Sequence, residues 1–340
     1  MATGPADILL IRLKSIGDIL FTLPAVNLVR DCFPNAGLTF LTSSENAPLL
    51  RGFVALNNVL TLDRALYRRK NPLAIFAHTL QLVRRLRRSR FSLVIDFQGY
   101  GETALLTSLT GAPQRWGTIY RRGRRWAYTS AQPRDDTIHP ADWNLQLLQQ
   151  CGLQPGPIRN QFDLPPDASS AALEFFSQSR LDPDRPTLFI QPFSSSPDKN
   201  WVLDKFLAFA RHWHTAGLQV IFGGGPADRP ALEPVSRAGF PVSAGAPVLT
   251  SAGLMSLSQI VLGPDTGLVH LAVALGKRVV MLIPSTAPGS PFPHQHPDWT
   301  VVPLAGQPVS SIGVEELVAA VAQALGERAA NSLLSTARKA

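Results

Sequence analysis

Short runs of Ile, Leu, Val and Phe recur along the chain, and each is followed by a turn of small residues and a helical pattern. Seven runs have this form: residues 8–13, 38–41, 93–97, 187–190, 219–222, 259–262 and 278–283. Parallel strands that are buried on both faces read as continuous apolar runs of this kind. The pattern therefore predicts an α/β fold of two Rossmann-like doubly wound sheets facing across a cleft.

Length and composition fit two such domains. At 340 residues the chain exceeds the size at which a single hydrophobic core usually stops growing. Hydrophobic residues form 45% of the sequence, which is enough apolar material for two cores. Segment 154–186 is rich in proline and contains one predicted helix at 168–179, so we interpret it as the interdomain connection. We expect a first domain at 1–165, a second at 166–326 and a frayed tail at 327–340.

The sequence contains no pattern typical of a secreted or membrane-spanning protein. Charged residues interrupt the apolar stretch 8–29, which therefore lacks the apolar region of a signal peptide. No window reaches the roughly 18 uncharged apolar residues of a spanning helix. Cys32 and Cys151 are isolated and match neither a disulfide framework nor a zinc site, which favours a reducing compartment. These features predict a cytoplasmic protein, with peripheral contact to the inner face of the cytoplasmic membrane left open.

The charge of the chain predicts an acidic partner. The formal net charge is +8 and the pI is near 10.0, which suits nucleic acid, anionic lipid or a phosphorylated substrate. The arginines form two clusters: Arg84, Arg85, Arg87, Arg88 and Arg90, and Arg121, Arg122, Arg124 and Arg125. A solvated charged face explains either cluster equally well. Segment 72–90 also has apolar residues at helical spacing, which favours a core-facing helix over one lying on a membrane surface.

Two loops of the first half follow predicted strands and contain polar residues. Residues 14–18 read Lys-Ser-Ile-Gly-Asp, in which Gly17 permits a tight turn and Asp18 lies near a helix start. Taken alone, Asp18 is more typical of a helix cap than of a catalytic base. Pro24 lies in the same predicted helix and is expected to kink it. Residues 96–101, Asp-Phe-Gln-Gly-Tyr-Gly, form a glycine-containing turn of a kind common at strand ends.

Loops of the second half carry hydroxyl groups, glycines and a lysine. Three serines at 194–196 precede Lys199, which suits a phosphate site as well as an ordinary polar loop. Three glycines at 223–225 end a later strand shortly before Asp228, without the dinucleotide-binding fingerprint. These loops favour an anionic ligand over hydride-transfer chemistry.

Segment 263–270, Gly-Pro-Asp-Thr-Gly-Leu-Val-His, lies between a predicted buried strand and an apolar helix. The backbone N–H groups of residues 266–268 would lie at the start of that helix without intrahelical acceptors, where they can bind a diphosphate. Asp265 can accept hydrogen bonds from sugar or ribose hydroxyls, and His270 lies one helical turn further on. A helix cap and a packed core histidine explain these residues about as well.

Metal chemistry and several other reaction types lack support in the sequence. Asp182-Pro183-Asp184 has the Asp-x-Asp spacing of some metal sites, but it lies in the proline-rich connection. His294 and His296 have no carboxylate or cysteine cluster to complete a metal site. Walker-loop and nucleophile-elbow spacings are absent. We therefore expect no metal and no cofactor.

The order and spacing of these loops match one family. The matching motifs are Ser15-Ile16-Gly17-Asp18 with Leu23-Pro24-Ala25, Asp96-Phe97-Gln98-Gly99, His139 with Asn144, Lys199-Asn200-Trp201, and Asp265-Thr266-Gly267 with His270. In these motifs the sequence resembles the lipopolysaccharide heptosyltransferases and their relatives in glycosyltransferase family nine. The likeness spans residues 8–302, and the last motif is the most specific.

The resemblance implies a GT-B-type enzyme that transfers a sugar with inversion and without a metal. It implies ADP-heptose as donor in the second domain and an anionic lipopolysaccharide-core glycolipid as acceptor in the first. Asp18 would be the general base, and Lys199 would stabilise the leaving diphosphate. The resemblance also implies that the backbone N–H groups of Thr266, Gly267 and Leu268 hold the donor diphosphate. From the loops described above we further expect donor binding by Ser194, Ser195, Ser196, Gly224, Asp228, Asp265 and His270. The expected acceptor-binding residues are Ser15, Gly17, Gln98, Gly99, Arg121, Arg122 and Arg124.

One departure from the family pattern concerns the nucleoside. The family has a glutamate after its glycine-rich strand end, whereas the nearest carboxylates here are Asp228 and Glu233. The reaction class is therefore better defined than the nucleotide or the sugar. The alternatives are a sugar-nucleotide epimerase of the same architecture, a family member that binds donor without transferring it, and a basic nucleic-acid-binding protein. The last lacks a recognisable recognition module.

Overall fold

The computed structural model describes residues 7–68, 72–284, 289 and 291–326. The chain divides into two compact units, Met1–Phe162 and Asp163–Ala340. The division falls within the proline-rich segment and close to the expected domain boundary after residue 165. The tail that we expect to fray, 327–340, lies outside the described residues.

The first unit is built on a sheet of six parallel strands. They are β1 (Asp7–Ile11), β2 (Gly37–Ser43), β3 (Asn58–Leu62), β4 (Leu93–Asp96), β5 (Gln114–Ile119) and β6 (Ser130–Pro133). The strand order is β3-β2-β1-β4-β5-β6, and every neighbouring pair is parallel. Strand β1 is apolar after Asp7, and Ile8 to Ile11 are completely buried. This is a doubly wound sheet whose strand order reverses between β1 and β4.

Among the described residues, six α-helices accompany this sheet. They are α1 (Ile16–Leu20), α2 (Leu23–Cys32), α3 (Arg64–Arg68), α4 (Pro72–Arg88), α5 (Gly101–Leu109) and α6 (Pro140–Gln150). The single kinked helix expected around Pro24 is in fact two helices, α1 and α2. Pro24 lies in the first turn of α2, where its missing N–H costs no intrahelical hydrogen bond. Helix α6 packs against α2, and the Asn144 amide donates to the Phe21 carbonyl at 2.8 Å.

The second unit repeats this topology. Its strands are β7 (Thr187–Ile190), β8 (Gln219–Gly224), β9 (Val242–Ala244), β10 (Ile260–Pro264), β11 (Arg278–Leu282) and β12 (Thr300–Val301). They are ordered β12-β11-β10-β7-β8-β9, again with every neighbouring pair parallel. The strand order therefore reverses between β7 and β10, which correspond to β1 and β4 of the first sheet.

Six α-helices accompany the second sheet in the part of this unit that the structure describes. They are α7 (Pro166–Gln178), α8 (Leu203–Thr215), α9 (Glu233–Arg237), α10 (Val248–Leu257), α11 (Gly267–Ala274) and α12 (Val314–Leu325). The core beneath α8 contains Phe206, Trp213 and Phe222, all fully buried. Helix α7 packs closely on α10, since a Cβ on Gly253 would lie 2.3 Å from the Ala168 carbonyl oxygen. The helix predicted in the proline-rich connection is therefore part of the second unit.

Each of the seven apolar runs of the sequence overlaps a strand, but five further strands among the described residues were not predicted. Four of these, β3, β6, β9 and β12, are the edge strands of the two sheets, and the fifth, β5, adjoins an edge. Edge strands are partly exposed, as the alternating burial of Asn58–Leu62 shows. They therefore lack the continuous apolar run by which central strands are recognised.

Helix α4 differs from the purely core-facing helix that its pattern favours. Leu82 and Leu86 pack in the core of the first unit. In contrast, Leu73 and Phe76 are 80% and 67% exposed. Over the described residues, no helix combines the length and the apolar character needed to cross a membrane.

Candidate active site

Open α/β sheets bind ligands in the crevice where the strand order reverses. In the first unit this crevice lies at the carboxyl ends of β1 and β4, and in the second at those of β7 and β10. The segments at and after these strand ends are residues 12–18, 96–99, 191–199 and 265–270. Each unit therefore brings two of the predicted loops to one edge of its sheet.

Asp18 lies in the first turn of α1 and is held by two neighbours. Its Oδ1 forms a 2.7 Å ion pair with the guanidinium of Arg12. Its Oδ2 accepts hydrogen bonds from the backbone N–H and the hydroxyl of Ser15, at 3.0 and 3.1 Å. Ser15 is the N-cap residue of α1, so Asp18 also serves the capping role that its sequence position favours. The pair with Arg12 is a further interaction that capping does not require.

Arg12 directly follows β1 and is only 8% exposed. Its Nε donates to the Lys14 carbonyl at 3.0 Å, and a terminal nitrogen donates to the Phe97 carbonyl at 2.8 Å. The same guanidinium thus connects the loop after β1, the loop after β4 and the carboxylate of Asp18. This arrangement fixes Asp18 relative to both strands.

Two opposing effects set the pKa of Asp18. Burial alone raises this pKa, but the positive charge of Arg12 and the hydrogen bonds from Ser15 and Arg12 outweigh it. The pKa of Asp18 is therefore held below its ordinary value. The carboxylate is ionised at neutral pH, which is the protonation state that a general base requires.

A buried carboxylate orders the turn after β4. Asp96 Oδ1 accepts from the backbone N–H groups of Gln98 and Gly99 at 2.9 and 3.0 Å, and Oδ2 accepts from the Tyr128 hydroxyl at 2.7 Å. Burial raises the pKa of Asp96 above its ordinary value in spite of these hydrogen bonds. Gln98 is itself buried, and its Oε1 accepts from the Leu13 N–H at 2.8 Å. Gln98 therefore links the two loops of the first-unit site.

The other predicted acceptor residues differ in how closely they approach this turn. Gly17 is buried within α1. Arg124 donates a 2.8 Å hydrogen bond to the Gly99 carbonyl, which brings one arginine of the second cluster to the turn. Arg121 and Arg122 are exposed, and their side chains make no hydrogen bond or ion pair with the described residues. The structure thus gathers Ser15, Gly17, Gln98, Gly99 and Arg124 and leaves the other two arginines at the surface.

Asp265 is the centre of the second-unit site. Its Oδ2 forms a 2.7 Å ion pair with Nζ of Lys199, a residue 66 positions earlier in the chain. Its Oδ1 lies 2.9 Å from Nε2 of His270, which is on α11 and only 5% exposed. Three residues from two separate motifs of the sequence thus form one polar cluster. His270 is buried, as a core histidine would be, and it also contacts the predicted site.

The pKa of Asp265 is lowered for similar reasons. Burial alone raises it, but the hydrogen bonds and charges of His270 and Lys199 outweigh that effect. Asp265 is therefore a carboxylate at neutral pH. It holds the Lys199 ammonium at the carboxyl end of β10, beside the start of α11.

Helix α11 begins directly after this carboxylate. Thr266 is its N-cap residue, and the Thr266 hydroxyl oxygen accepts from the Val269 N–H at 3.4 Å. Gly267 and Leu268 are the first residues of the helix, where backbone N–H groups have no intrahelical acceptor. These N–H groups and the Lys199 ammonium are the donors that an anionic ligand would use at this edge.

The three predicted serines have unequal environments. The N–H of Ser194 donates to Oδ1 of Asn200 at 2.7 Å, and the Ser194 hydroxyl lies 2.8 Å from the same atom. That hydroxyl also lies 2.7 Å from the Ser196 carbonyl oxygen. Ser195 is exposed. Ser194 therefore orders the loop that carries Lys199, and Ser195 is the accessible hydroxyl of the three.

Gly224 and Asp228 both have structural roles at the end of β8. A Cβ on Gly224 would lie 2.6 Å from Cδ1 of Leu232, so a larger residue there would displace that leucine side chain. Asp228 accepts a 2.8 Å hydrogen bond from the Gly225 N–H and closes the short turn Pro226–Asp228. Asp228 thus caps a turn, which accounts for a carboxylate at this position without a nucleoside.

Sequence reasoning overlooked two residues that shape these sites, Arg12 and Tyr128, and it gave no separate role to Asn200 of the Lys199-Asn200-Trp201 motif. Arg12 is the charged residue of the otherwise apolar run 8–13, where it reads as an interruption, although it directly follows β1 in the structure. Tyr128 has no recognisable sign in the sequence. Tyr128 meets a carboxylate 32 positions away, and only the folded sheet brings the two together.

Solved structures share this architecture. A glycosyltransferase family 9 structure from Veillonella parvula has a TM-score of 0.85 and 19% identity, and the match covers 96% of this chain and 99% of that chain. The heptosyltransferase WaaC from Escherichia coli, with ADP-2-deoxy-2-fluoro heptose, has a TM-score of 0.76 and 18% identity and covers 93% and 99%. The fold is therefore that of the two-domain GT-B glycosyltransferases, as the sequence predicts.

The chain belongs to glycosyltransferase family 9 (heptosyltransferase), whose family model matches residues 79–302. A curated relative, the lipopolysaccharide core heptosyltransferase OpsX from Haemophilus influenzae, is 22% identical over 308 residues, which cover 88% of this chain and 84% of the relative. The predicted family and the predicted enzyme class, a glycosyltransferase, are both confirmed. The epimerase alternative has less support, because the family model and the relatives described here are transferases or transferase-family proteins.

Proposed function

We propose that this protein transfers heptose from ADP-heptose to an anionic acceptor of the lipopolysaccharide core, with inversion and without a metal ion. The relative OpsX is a lipopolysaccharide core heptosyltransferase, and the similar WaaC structure is of a complex with an ADP-heptose analogue. We assign donor binding to the second unit and acceptor binding to the first. The acceptor is a glycolipid, so we place the reaction at the inner face of the cytoplasmic membrane.

One observation carries this proposal: Asp265 holds Lys199 and His270 at the start of α11. A nucleotide-sugar donor leaves a diphosphate, and negative charge gathers on it during transfer. The Lys199 ammonium and the N–H groups of Gly267 and Leu268 are fixed donors suited to that charge. Because they are held in place before reaction, they need little reorganisation in the transition state.

Asp18 supplies the second part of the proposed chemistry. Its carboxylate takes the proton from an acceptor hydroxyl while that oxygen attacks the anomeric carbon of the donor sugar. The bond from this carbon to the diphosphate oxygen breaks, and ADP leaves with the bonding electrons. Attack from the face opposite the leaving group inverts the carbon. A general base of this kind contributes about 10²–10⁴-fold to the rate.

The turn after β4 is the proposed binding place for the acceptor near Asp18. Gly99 and Arg124 lie together there, and Gln98 connects the turn to the Asp18 loop. Arg124 has the charge and the donors to bind an acceptor phosphate or carboxylate. Arg121 and Arg122 add positive charge on the neighbouring surface.

Thermal unfolding with nucleotides tests the donor assignment. ADP, UDP, GDP and inorganic pyrophosphate are each added to the purified protein. A ligand that binds only the folded state stabilises it by about 2.7 kcal/mol at a hundred-fold excess over its Kd. We expect ADP to raise the Tm most, and we expect Lys199→Ala to remove most of that increase. Asp198→Ala is the matched control, because Asp198 is exposed in the same short turn.

Transfer is then measured as ADP release from ADP-heptose with and without a lipopolysaccharide-core acceptor. We expect Asp18→Asn to keep the ADP-induced Tm increase and to lose at least about a hundred-fold in kcat. If UDP or GDP raised the Tm more than ADP, the proposed donor would be a UDP- or GDP-sugar, and the proposed reaction class would be unchanged. Acceptor-independent conversion of the sugar nucleotide would instead support the epimerase alternative.

A further inference from the structure

Helix α4 has two faces of different character. Leu82 and Leu86 are 7% and 0% exposed and pack against the sheet of the first unit. The opposite side begins with two apolar side chains, Leu73 and Phe76, that are largely exposed. Exposed Leu and Phe side chains side by side on one helix are uncommon on a surface that faces only water.

The same exposed side continues into positive charge. Arg84 and Arg88 are 11 and 15 positions after Leu73, which places them on its side of a helix with 3.6 residues per turn. Both are exposed, and they form no hydrogen bond or ion pair with any part of the chain that the structure describes. Segment 72–90 contains no Asp or Glu. This surface, which we call the α4 face, is therefore amphipathic along its length, with its apolar end at Leu73 and its cationic end at Arg88.

A cavity of about 530 Å³ lies at the cationic end of the α4 face. Its described lining residues are Ala77, Gln81, Arg84, Arg85, Arg88 and Ser89. Three guanidinium groups and one amide provide hydrogen-bond donors, and none of the described lining residues is acidic. The Ser89 hydroxyl donates to the Arg85 carbonyl instead. Such a lining suits a phosphate group.

The charge of the chain is divided very unequally between its two units. The first unit, Met1–Phe162, has 20 Lys and Arg against 10 Asp and Glu, a net charge of +10. The second, Asp163–Ala340, has 12 against 14, a net charge of −2. The unit that contains α4 therefore carries the whole positive excess, and a negatively charged surface attracts this unit in preference to the other.

From these observations we infer that the α4 face docks on an anionic phospholipid bilayer. Leu73 and Phe76 enter the interface between headgroups and acyl chains, and the arginines bind lipid phosphates. Nucleic acid would use the charge but would leave the two exposed apolar side chains without a role. A second copy of the chain fits poorly, because in a two-fold symmetric contact neither copy offers an acidic group from segment 72–90 to pair with the arginines of the other.

This inference goes beyond the transfer reaction and does not depend on it. It assigns a membrane-binding surface, whereas the proposed acceptor site lies at the carboxyl ends of β1 and β4 and the proposed donor site at those of β7 and β10. Binding is accordingly measured without donor or acceptor, and the result is independent of transferase activity.

The test is sedimentation of the full-length protein with vesicles of phosphatidylcholine, with and without phosphatidylglycerol. We expect binding to the anionic vesicles only, with high salt releasing the protein. Arg84→Glu combined with Arg88→Glu should weaken this binding at least about tenfold, since each arginine near an anionic surface contributes appreciably. Leu73→Ser combined with Phe76→Ser should also weaken it, and the remaining binding should stay salt-sensitive.

The matched control reverses two exposed arginines of the second unit, Arg180→Glu with Arg211→Glu. This control changes the net charge by the same amount and should bind vesicles like the wild type. All variants are first checked for an unchanged Tm and an unchanged response to ADP. Equal loss in the control pair, equal binding to neutral vesicles, or retention on DNA without vesicle binding would each overturn the inference.

Discussion

At the scale of single residues, Arg12 has two consequences for Asp18. It fixes the direction of the carboxylate, and it lowers the pKa of that carboxylate. A group with a lowered pKa in the folded state stabilises the fold above its ordinary pKa. That stability is lost as the pH falls through the folded-state value. The same pair that prepares the base for neutral pH therefore makes the first unit sensitive to acid.

Arg12→Gln should shift the pH dependence of transfer. Without the guanidinium, burial dominates and the pKa of Asp18 rises, so the acid limb of the kcat profile moves to higher pH. The profile is measured by ADP release at saturating substrates. Arg12→Lys is the control, because it keeps the charge and should leave the limb closer to that of the wild type. An unmoved acid limb in Arg12→Gln would mean that Asp18 is not the titrating base.

The residue scale also shows where sequence reasoning reached its limit. Asp18, Lys199 and Asp265 could be chosen because each follows a predicted buried strand, and such positions share one edge of a sheet. Their partners could not be chosen this way. Which cation pairs with which carboxylate depends on side-chain reach across a folded loop, and an arginine such as Arg12 reads in sequence as an interruption of an apolar run.

At the scale of elements, the turn after β4 depends on a glycine. Gly99 has φ +65°, and a Cβ there would lie 2.1 Å from the Thr118 carbonyl oxygen. Both the conformation and the available space therefore exclude a side chain. Since the carbonyl of Gly99 also receives the Arg124 hydrogen bond, a shift of this turn would move Arg124 as well.

Gly99→Ala should therefore lower the Tm and weaken the binding of the acceptor. A positive φ in a non-glycine residue costs about 1–3 kcal/mol, and the contact with Thr118 adds to it. Tm and the acceptor KM are measured together, and KM should rise several-fold. Gly101→Ala is the matched control, because a Cβ on Gly101 meets nothing within 4 Å and lies at the start of α5. Similar effects from both substitutions would rule out the proposed role of the turn.

Central strands could be predicted from the sequence better than edge strands, because the two kinds of strand are buried to different degrees. Central strands such as Thr187–Ile190 are buried on both faces and are recognisable as apolar runs. Edge strands such as Val242–Ala244 are partly exposed and short, and they are defined mainly by hydrogen bonds to a neighbour. The break between α1 and α2 was also not predictable, because Pro24 is compatible either with a kink in one helix or with the first turn of a new helix.

At the scale of the whole molecule, the division of charge predicts how salt acts. The first unit carries +10 and the second −2, so binding of an anionic acceptor has the larger electrostatic attraction. In about 1 M salt the Debye length falls to about 3 Å and this attraction is screened. We expect the acceptor KM to rise several-fold while the Kd for ADP, measured by calorimetry, changes less.

Sodium chloride and potassium chloride should act alike, because screening depends on ionic strength rather than on the cation. The prediction is contradicted if salt weakens ADP binding more than it raises the acceptor KM. That result would locate the dominant positive potential at Lys199 instead of in the first unit.

The strand order of each sheet also determines how long a newly synthesised central strand waits for its second neighbour. In the finished first sheet Ile8 of β1 pairs with Leu93 of β4. At about 5–20 residues per second, a ribosome needs roughly 4–17 s to add the intervening segment. Throughout that interval at least one edge of β1 is unpaired, which is a site for wrong pairing with another chain. We therefore expect the nascent protein to depend on chaperones until β4 has emerged. The same holds in the second unit, where Leu188 of β7 pairs with Ile260 of β10.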